Sequence, residues 1–306
     1  MNVLSILDLT AGEIDMILQT AIQVKEERRQ GVAHRHLAGK TLGMIFEKSS
    51  TRTRISFDVG MYELGGYALY LNPRDMQLDR GEAIADTARV LSRYLSAVMI
   101  RAHNHSSIEA FSRASTIPVI NGLSDTEHPC QILADLMTLK ERFGSLSGRR
   151  IAWIGDGNNV CNSLILSTIP TGMHVSLAVP PGYEPDAACV ARAQESGSVS
   201  FHDTPEAAAA GADALYTDTW ISMGQEDEED TRLAAFEPYR IDLDLLKHAS
   251  PGAIVLHCLP AHRGCEITDE VIDGPKSAVW DQAENRLHAQ KALLLSLLEK
   301  KRLEIR

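Results

Sequence analysis

Short apolar runs alternate with longer amphipathic segments along most of this chain of 306 residues. A polar loop and then a segment of helical period follow most of these runs, which read as strands. The runs are TLGMIF (41–46), YALYL (67–71), SAVMI (96–100), IPVI (117–120), RIAWIG (150–155), HVSLAV (174–179), DALYTD (213–218), AIVLHC (253–258) and SAVW (277–280). Such alternation is typical of parallel sheets flanked by helices. We therefore predict an α/β protein with two domains, each a parallel sheet flanked by helices.

A long helix is predicted between two groups of strands, in HPCQILADLMTLKERFG (128–144). Pro129 suits the first turn of a helix, and Gly144 suits its end. The final segment NRLHAQKALLLSLLEKK (285–301) also has apolar residues in helical register. We expect a first domain at 1–135, completed by a C-terminal helix at 287–306, and a second domain at 136–286, linked by interdomain helices.

An acidic run, GQEDEEDTRLAAFEPYR (224–240), interrupts the alternation of strands and helices. A charge run of this kind is most often a solvated loop. Its place directly after the predicted strand DALYTD also fits a lid over an active site, because functional loops follow the strands of such proteins.

Composition narrows the classes of partner. Hydrophobic residues make up 44% of the chain, enough for substantial cores, and the formal net charge is −11. An acidic chain opposes nonspecific attraction to nucleic acid and anionic membranes, so we expect neither as a partner. No signal-peptide pattern or bilayer-length apolar run occurs, which predicts a cytoplasmic protein. The five cysteines contain no CxxC pair and indicate neither a disulfide framework nor a zinc ribbon.

Polar clusters follow most of the predicted strands, where ligands bind in open parallel sheets. The clusters are EKSSTRTR (47–54), Arg101, NGLSDTEHPCQ (121–131), DGNN (156–159), Asp218, Cys258 and DQAENR (281–286). In the first, Ser50 or Thr51 can cap a helix that starts near Arg52, with Ile55, Val59 and Tyr62 on its buried face. Hydroxyls, backbone N–H groups and a guanidinium then surround a tetrahedral anion, although a capped helix with solvated arginines also fits.

Three other motifs have more than one interpretation. His128 and Gln131 are three residues apart at the start of one helix, so both can donate to one carbonyl or amide group, although His128 alone also fits a histidine that is hydrogen bonded locally at a helix start. DGNN follows a strand as a dinucleotide-binding loop does, but it lacks the third glycine of GxGxxG. Cys258 fits a buried thiol, and a metal at His257 and His262 would lack a matching pair of ligands.

These motifs together resemble the aspartate and ornithine carbamoyltransferase family. SSTRTR (49–54), HPCQ (128–131) and HCLPAHRG (257–264) are similar to its three signature regions. DTWISMGQE (218–226) resembles the ornithine-binding loop, and DQAENR resembles the segment before the last helix, which together favour ornithine over aspartate. The resemblance covers essentially the whole chain. It implies a carbamoyl phosphate domain, an amino-acid domain, and a homotrimer or a multiple of trimers with active sites at subunit interfaces.

The resemblance also implies which residues bind carbamoyl phosphate. The phosphate is expected at Ser50, Thr51, Arg52 and Thr53. Arg101 is expected to bridge the phosphate and the carbonyl oxygen, to which His128 donates. The carbamoyl amide is expected at Gln131, at the main chain of Cys258 and Leu259, and at Arg286. Gln77 matches the family's loop that reaches into a neighbouring subunit's site.

By the same resemblance, L-ornithine is expected at Asn159, Asp218, Ser222 and Met223. Its δ-amine would attack the carbonyl carbon of carbamoyl phosphate and expel phosphate to give L-citrulline, with no metal or organic cofactor. Arg101, His128, Cys258, Asp218 and Thr53 are the expected catalytic residues. This is a reaction of arginine metabolism, and biosynthesis is the expected direction, although citrulline breakdown would use the same residues.

Other functions also fit parts of the sequence. Putrescine, N-acetylornithine or another amine could accept the carbamoyl group in the same chemistry. A NAD-dependent dehydrogenase would explain the strands and IGDGNN but not SSTRTR with HPCQ. A catalytically silent relative could serve as a binding or regulatory module, although every residue needed for catalysis is present by type.

Overall fold

The computed structural model describes residues 1–196, 198–221 and 226–299, with the backbone alone at 78, 79 and 226. The chain divides into two compact units. Unit 1 comprises Met1–Met137 and Glu284–Arg306, and unit 2 comprises Thr138–Ala283.

Unit 1 contains a parallel sheet of four strands: β1 (Thr41–Phe46), β2 (Tyr67–Leu71), β3 (Ala97–Arg101) and β4 (Val119–Leu123). Its helices are α1 (Ala11–Arg29), α2 (Thr51–Glu63), α3 (Ile84–Leu91), α4 (His105–Ala114) and the first part of α5 (Pro129–Phe143). The strand order is β2-β1-β3-β4. Strand β2 lies on one side of β1, and β3 and β4 lie on the other. The carboxyl ends of β1 and β3 therefore form a topological switch point, which is the usual ligand position in such sheets.

Unit 2 contains a parallel sheet of five strands: β5 (Arg150–Ile154), β6 (His174–Ala178), β7 (Val199–Phe201), β8 (Ala214–Thr217) and β9 (Ile254–His257). Its helices are α6 (Asn159–Thr171), α7 (Ala187–Gln194), α8 (Pro205–Ala209), α9 (Glu229–Phe236), α10 (Leu243–Leu246) and α11 (Asp269–Ile272). The strand order β7-β6-β5-β8-β9 places a second switch point between β5 and β8. Helix α12 (Val279–Leu298) begins in unit 2 and continues into unit 1.

The predicted fold class is confirmed, but one predicted strand is absent from the described residues and one observed strand was not predicted. The segment SAVW does not form a strand, since Ser277 makes only an isolated bridge with Val255 and α12 begins at Val279. Strand β7 was missed because it has only three residues at the edge of its sheet, too few to show a period.

The acidic run is helical over most of its described length, so the interpretation as a solvated loop is wrong there. A short 3-10 turn at Glu226–Glu228 leads into α9, and a second turn follows at Glu237–Tyr239. The first two residues of the run, 224 and 225, lie outside the described residues.

Helix α2 begins where the sequence predicts but buries a different face. Ser50 is its N-cap and accepts a hydrogen bond from the backbone N–H of Thr53. Ile55 and Tyr62 are 55% and 79% exposed, whereas Thr53, Phe57, Gly60 and Met61 are buried. The buried face includes a threonine and a glycine, so apolar character did not mark it. A Cβ atom at Gly60 would lie 3.2 Å from Cγ of Lys291, which shows how closely α12 approaches α2.

Lys291 holds the C-terminal helix against the rest of unit 1. The side chain is fully buried, and Nζ lies 2.7 Å from Oε2 of Glu63 and 2.5 Å from Nε2 of His34. Burial and the charge of Lys291 lower the pKa of His34. A neutral His34 accepts from the ammonium at Nε2 and donates from Nδ1 to the carbonyl of Val32.

No described helix combines the length and apolarity needed to cross a membrane.

Candidate active site

Arg286 joins three helices of unit 1 at one point. From α12 it donates to Oε1 of Gln131 on α5 at 2.6 Å and to Oγ1 of Thr53 on α2 at 3.1 Å. All three side chains are buried. Thr53 lies in the first turn of α2, directly after the cap at Ser50, where backbone N–H groups lack helical partners and favour an anion. The buried guanidinium therefore lies beside a helix N-terminus that suits a phosphate.

Arg101 adds a second cation to this part of unit 1. It is the last residue of β3, in register with Phe46 at the end of β1. Burial first, and then the charges of Arg286 and Arg52, lower the pKa of Arg101 to about 10. Its Nε is buried and finds no hydrogen-bond acceptor among the described residues. Arg101 is still protonated at neutral pH, so it and its neighbours Arg52 and Arg286 repel one another, and a bound anion would compensate their charge.

His128 precedes α5 and is a neutral neighbour of these arginines. It is buried, and burial is the largest cause of a pKa well below the ordinary value for histidine. The charges of the three arginines add to this effect. A neutral imidazole can donate one hydrogen bond without adding a further charge, which suits a carbonyl oxygen.

Gln131 is held at both ends of its amide. Its Nε2 donates to Oδ1 of Asp135 at 2.8 Å, and its Oε1 accepts from Arg286. These two bonds fix the orientation of the amide, and Oε1 keeps a second lone pair for a donor on a ligand. The sequence-predicted residues of HPCQ, SSTRTR and DQAENR, together with Arg101, are thus brought together within unit 1.

Gln77 is a predicted carbamoyl phosphate residue of unit 1 that the structure does not place with this group. It is exposed at the start of a 3-10 turn at Gln77–Arg80. Among the described residues of unit 1, its side chain makes no hydrogen bond with Arg101 or His128.

In unit 2, the carboxylate of Asp218 lies at the switch point between β5 and β8. Oδ2 accepts from Nδ2 of Asn158 at 2.7 Å, and Oδ1 accepts from the backbone N–H of Thr219 at 2.8 Å. Asn158 also caps α6 through its side-chain oxygen. The sequence assignment named Asn159, the first residue of that helix, and missed Asn158, although an asparagine just before a helix is a recognisable cap signal. The predicted residues Ser222 and Met223 lie outside the described residues.

Cys258 follows β9 and lies close to Asp218 and His257. Ligand-type atoms of these three residues lie within 4.8 Å of one another. Both ring nitrogens of His257 are already used, because Nδ1 accepts from the N–H of Leu259 at 2.9 Å and Nε2 lies 3.1 Å from Oε1 of Glu266. A metal would have to break one of these buried contacts, so the arrangement favours a polar binding site over a metal centre.

Leu259 adopts a backbone conformation that leucine rarely takes. Its φ is 59°, and a cis peptide bond connects it to Pro260. A positive φ at a non-glycine residue is strained, and such residues cluster at ligand sites. The strain coincides with the HCLP motif, whose main chain is an expected contact for the carbamoyl amide.

Gly157 allows the loop after β5 to pack against the segment that contains Tyr183. A Cβ atom at Gly157 would lie 2.3 Å from the nitrogen of Pro185 and 2.5 Å from the carbonyl oxygen of Tyr183. We expect Gly157→Ala to lower the free energy of unfolding by about 1–3 kcal/mol, because neighbouring backbone must shift. Denaturant unfolding checks this against Gly252→Ala, whose added Cβ would meet nothing within 4 Å. Equal stability of the two variants would contradict the close packing at Gly157.

Comparison with known proteins gives the same family for both units. The carbamoyl-P binding domain of aspartate/ornithine carbamoyltransferase matches residues 1–141, and the Asp/Orn binding domain matches residues 147–297. An ornithine carbamoyltransferase of Methanocorpusculum labreanum is 61% identical over 296 residues, 96% of this chain and 97% of that protein. An anabolic ornithine carbamoyltransferase of Pyrococcus furiosus is 53% identical over 299 residues, 96% of this chain and 95% of that protein.

A solved structure agrees with the sequence comparisons. The ornithine carbamoyltransferase from Pyrococcus furiosus superimposes with a TM-score of 0.94 at 52% identity, covering 100% of this chain and 98% of that one. Sequence identity at this level over the full length shows membership of the same family as well as a shared fold. The chain therefore belongs to the aspartate/ornithine carbamoyltransferase family.

Proposed function

We propose that this enzyme transfers the carbamoyl group of carbamoyl phosphate to the δ-amine of L-ornithine, giving L-citrulline and phosphate. The observation that carries the proposal is the group of Arg52, Arg101, Arg286 and neutral His128 beside the N-terminus of α2. Three cations with a neutral donor suit a phosphorylated carbonyl compound. The ornithine carbamoyltransferases that match over nearly the whole chain support ornithine as the acceptor.

We assign the phosphate of carbamoyl phosphate to Ser50, Thr51, Arg52 and Thr53. In this assignment Arg101 contacts the phosphate and the carbonyl oxygen, and His128 donates to the same oxygen. Negative charge develops on that oxygen when the carbon becomes tetrahedral, so both donors stabilise the transition state more than the ground state. Gln131, Arg286 and the main chain of Cys258 and Leu259 hold the carbamoyl amide, and Gln77 acts from a neighbouring subunit.

We assign L-ornithine to Asn159, Asp218, Ser222 and Met223. The δ-amine has an ordinary pKa near that of lysine, about 10.4, and must lose a proton before it can attack. Removal from water favours the neutral amine. In this assignment the amine lies beside Asp218 and Cys258. The new carbon–nitrogen bond then forms, the carbon–oxygen bond to phosphate breaks, and the further proton of the attacking nitrogen passes to the departing phosphate.

Product analysis with a panel of acceptors tests this function. The enzyme is incubated with carbamoyl phosphate and, separately, with L-ornithine, putrescine, N-acetylornithine or L-aspartate, and the carbamoylated product and phosphate are measured. We expect L-citrulline and phosphate in equal amounts, and little product from the other acceptors. Preferred carbamoylation of another amine would change the assigned acceptor, and absence of any transfer would contradict the proposal.

We further propose a cytoplasmic homotrimer, or a multiple of trimers, that works in arginine biosynthesis. The relative from Pyrococcus furiosus is named anabolic, which supports this direction. Unit 1 exposes Ile55, Tyr62, Tyr67 and Tyr94, which is consistent with an interface between copies. Light scattering coupled to size-exclusion chromatography should give three times the mass of the chain, or a multiple of that mass, and a stable monomer would contradict the assembly.

A further inference from the structure

Arg232 on α9 is a buried cation to which the proposed reaction gives no role. The residue is 3% exposed. One guanidinium nitrogen lies 2.7 Å from Oδ2 of Asp156, and Nε donates to the carbonyl oxygen of Trp220 at 2.6 Å. Asp156 follows β5 and Trp220 follows β8, so a single side chain joins the two loops at the switch point of unit 2.

Aromatic rings surround the same guanidinium. Its central carbon lies 4.7 Å from the ring centre of Tyr183 and 5.1 Å from that of Phe236. Phe236 also contacts Trp220, with ring centres 5.9 Å apart. A planar guanidinium can stack on aromatic faces while it binds a carboxylate and a carbonyl, and a lysine ammonium cannot do all three. The contacts therefore restrict Arg232 to one position and require arginine.

Asp156 and Trp220, which Arg232 contacts, are close in sequence to residues of the assigned ornithine site. Asp156 is two residues before Asn158, whose amide donates to Asp218. Trp220 is two residues after Asp218, and Thr219 between them donates its N–H to the same carboxylate.

We propose that Arg232 is a positioning residue that fixes the loops after β5 and β8 in the arrangement that binds L-ornithine. This inference rests on the proposed function. Arg232 contacts no substrate in this scheme and acts through the contacts that Asn158 and Thr219 make with Asp218. The expected consequence is a specific effect on the amino-acid substrate, with little effect on carbamoyl phosphate, whose phosphate is assigned to unit 1.

The buried ion pair explains why the effect should be large. Removing one partner of a buried pair leaves the other charge uncompensated in a dry site, and the surrounding loops then move to admit water. Burial already raises the pKa of Asp156 to about 6, and Arg232 opposes this rise. Without Arg232 the carboxylate of Asp156 would be harder to keep ionised next to Asp218. The loop after β5 would then lose the ion pair between Asp156 and Arg232 that holds it in place.

Steady-state kinetics of Arg232→Gln and Arg232→Lys test the proposal. We expect the KM for L-ornithine to rise about tenfold, a size typical of residues that act without touching the ligand. The KM for carbamoyl phosphate and the thermal shift induced by inorganic phosphate should stay within about twofold of the wild-type values. Arg240→Gln is the matched control, because Arg240 is a partly buried arginine of unit 2 that donates to a backbone carbonyl, that of Cys265. This control should leave both KM values unchanged.

Asp156→Asn provides a second variant in case loss of Arg232 prevents folding. It keeps the shape of the side chain and removes the charge, and the KM for L-ornithine should again rise selectively. An unchanged KM for L-ornithine, or equal changes for both substrates, would overturn the positioning role while transfer by the wild type leaves the proposed function intact. If the wild type itself forms no citrulline, both proposals are overturned before any variant is compared.

Discussion

Replacing Arg101 with alanine is expected to lower kcat by about 10²–10³-fold, the usual effect of removing one donor to an oxyanion. Arg101 lies at the carboxyl end of β3, and Arg52 and Arg286 are close enough to lower the pKa of its guanidinium. Its assigned role combines contact with the phosphate and with the carbonyl oxygen, so binding of carbamoyl phosphate should also weaken. Initial rates over a matrix of both substrate concentrations would separate the effect on kcat from the effect on KM.

Two variants sharpen this test. Arg101→Lys keeps the charge but loses the planar fork that can bind two oxygens, so it should recover only part of the lost rate. Arg113→Ala removes a guanidinium of unit 1 that is 69% exposed and pairs with Glu109 on the same helix. This control should retain wild-type kinetics. Near wild-type turnover in Arg101→Ala would refute the assignment of the anion site.

Replacing Arg286 with glutamine is expected to lower kcat/KM for carbamoyl phosphate by about a hundredfold, within the range for a transition-state donor. The guanidinium is hydrogen bonded to Thr53 and Gln131, so its loss removes a charge and also releases two side chains assigned to the substrate. Glutamine leaves a polar side chain with an N–H donor at this position, which limits damage to the fold. Arg286→Gln should therefore weaken binding and turnover of carbamoyl phosphate more than it lowers the stability of unit 1.

Thermal unfolding with and without inorganic phosphate measures this effect separately from turnover. A ligand that binds only the native state raises the midpoint, and at a fixed ligand concentration the rise is larger when the ligand binds more tightly. We expect phosphate to raise the midpoint of the wild type and to have a much smaller effect on Arg286→Gln. Arg29→Gln changes an exposed arginine of unit 1 that pairs with Glu26, and it should respond as the wild type does. An undiminished response in Arg286→Gln would place the phosphate elsewhere.

The sequence predicted elements whose signals are local. The cap at Ser50, the proline at the start of α5 and the alternation of strands and helices each depend on a few neighbouring residues. The face of α2 was predicted wrongly because its buried side includes Thr53 and Gly60, selected by what packs there and not by hydropathy. SAVW was predicted wrongly because an apolar tetrapeptide suits either a strand or the first turn of a buried helix.

The candidate site divides in the same way. That polar residues after strands should meet follows from parallel topology, and this principle placed Arg52, Arg101 and Asp218 among the candidate ligand residues. Their individual roles come from the family resemblance and stay predictions. The local sequence marks Asn158 as a helix cap and part of DGNN, but it does not indicate that its amide binds Asp218. Arg232 was missed because nothing in its neighbouring residues indicates its partners. Arg232 lies in an acidic run, and its partners Asp156 and Trp220 come from two different strand ends.

By itself, the sequence determined the class of fold and the family, because periodicity, caps and ordered motifs are properties of short segments. Only the tertiary structure decided which charges are buried together. The lowered pKa values of Arg101 and His128 and the ion pair of Arg232 arise from removal of water around groups that are far apart in the chain. Electrostatic energies depend on distance and burial, and neither quantity can be read from the order of residues.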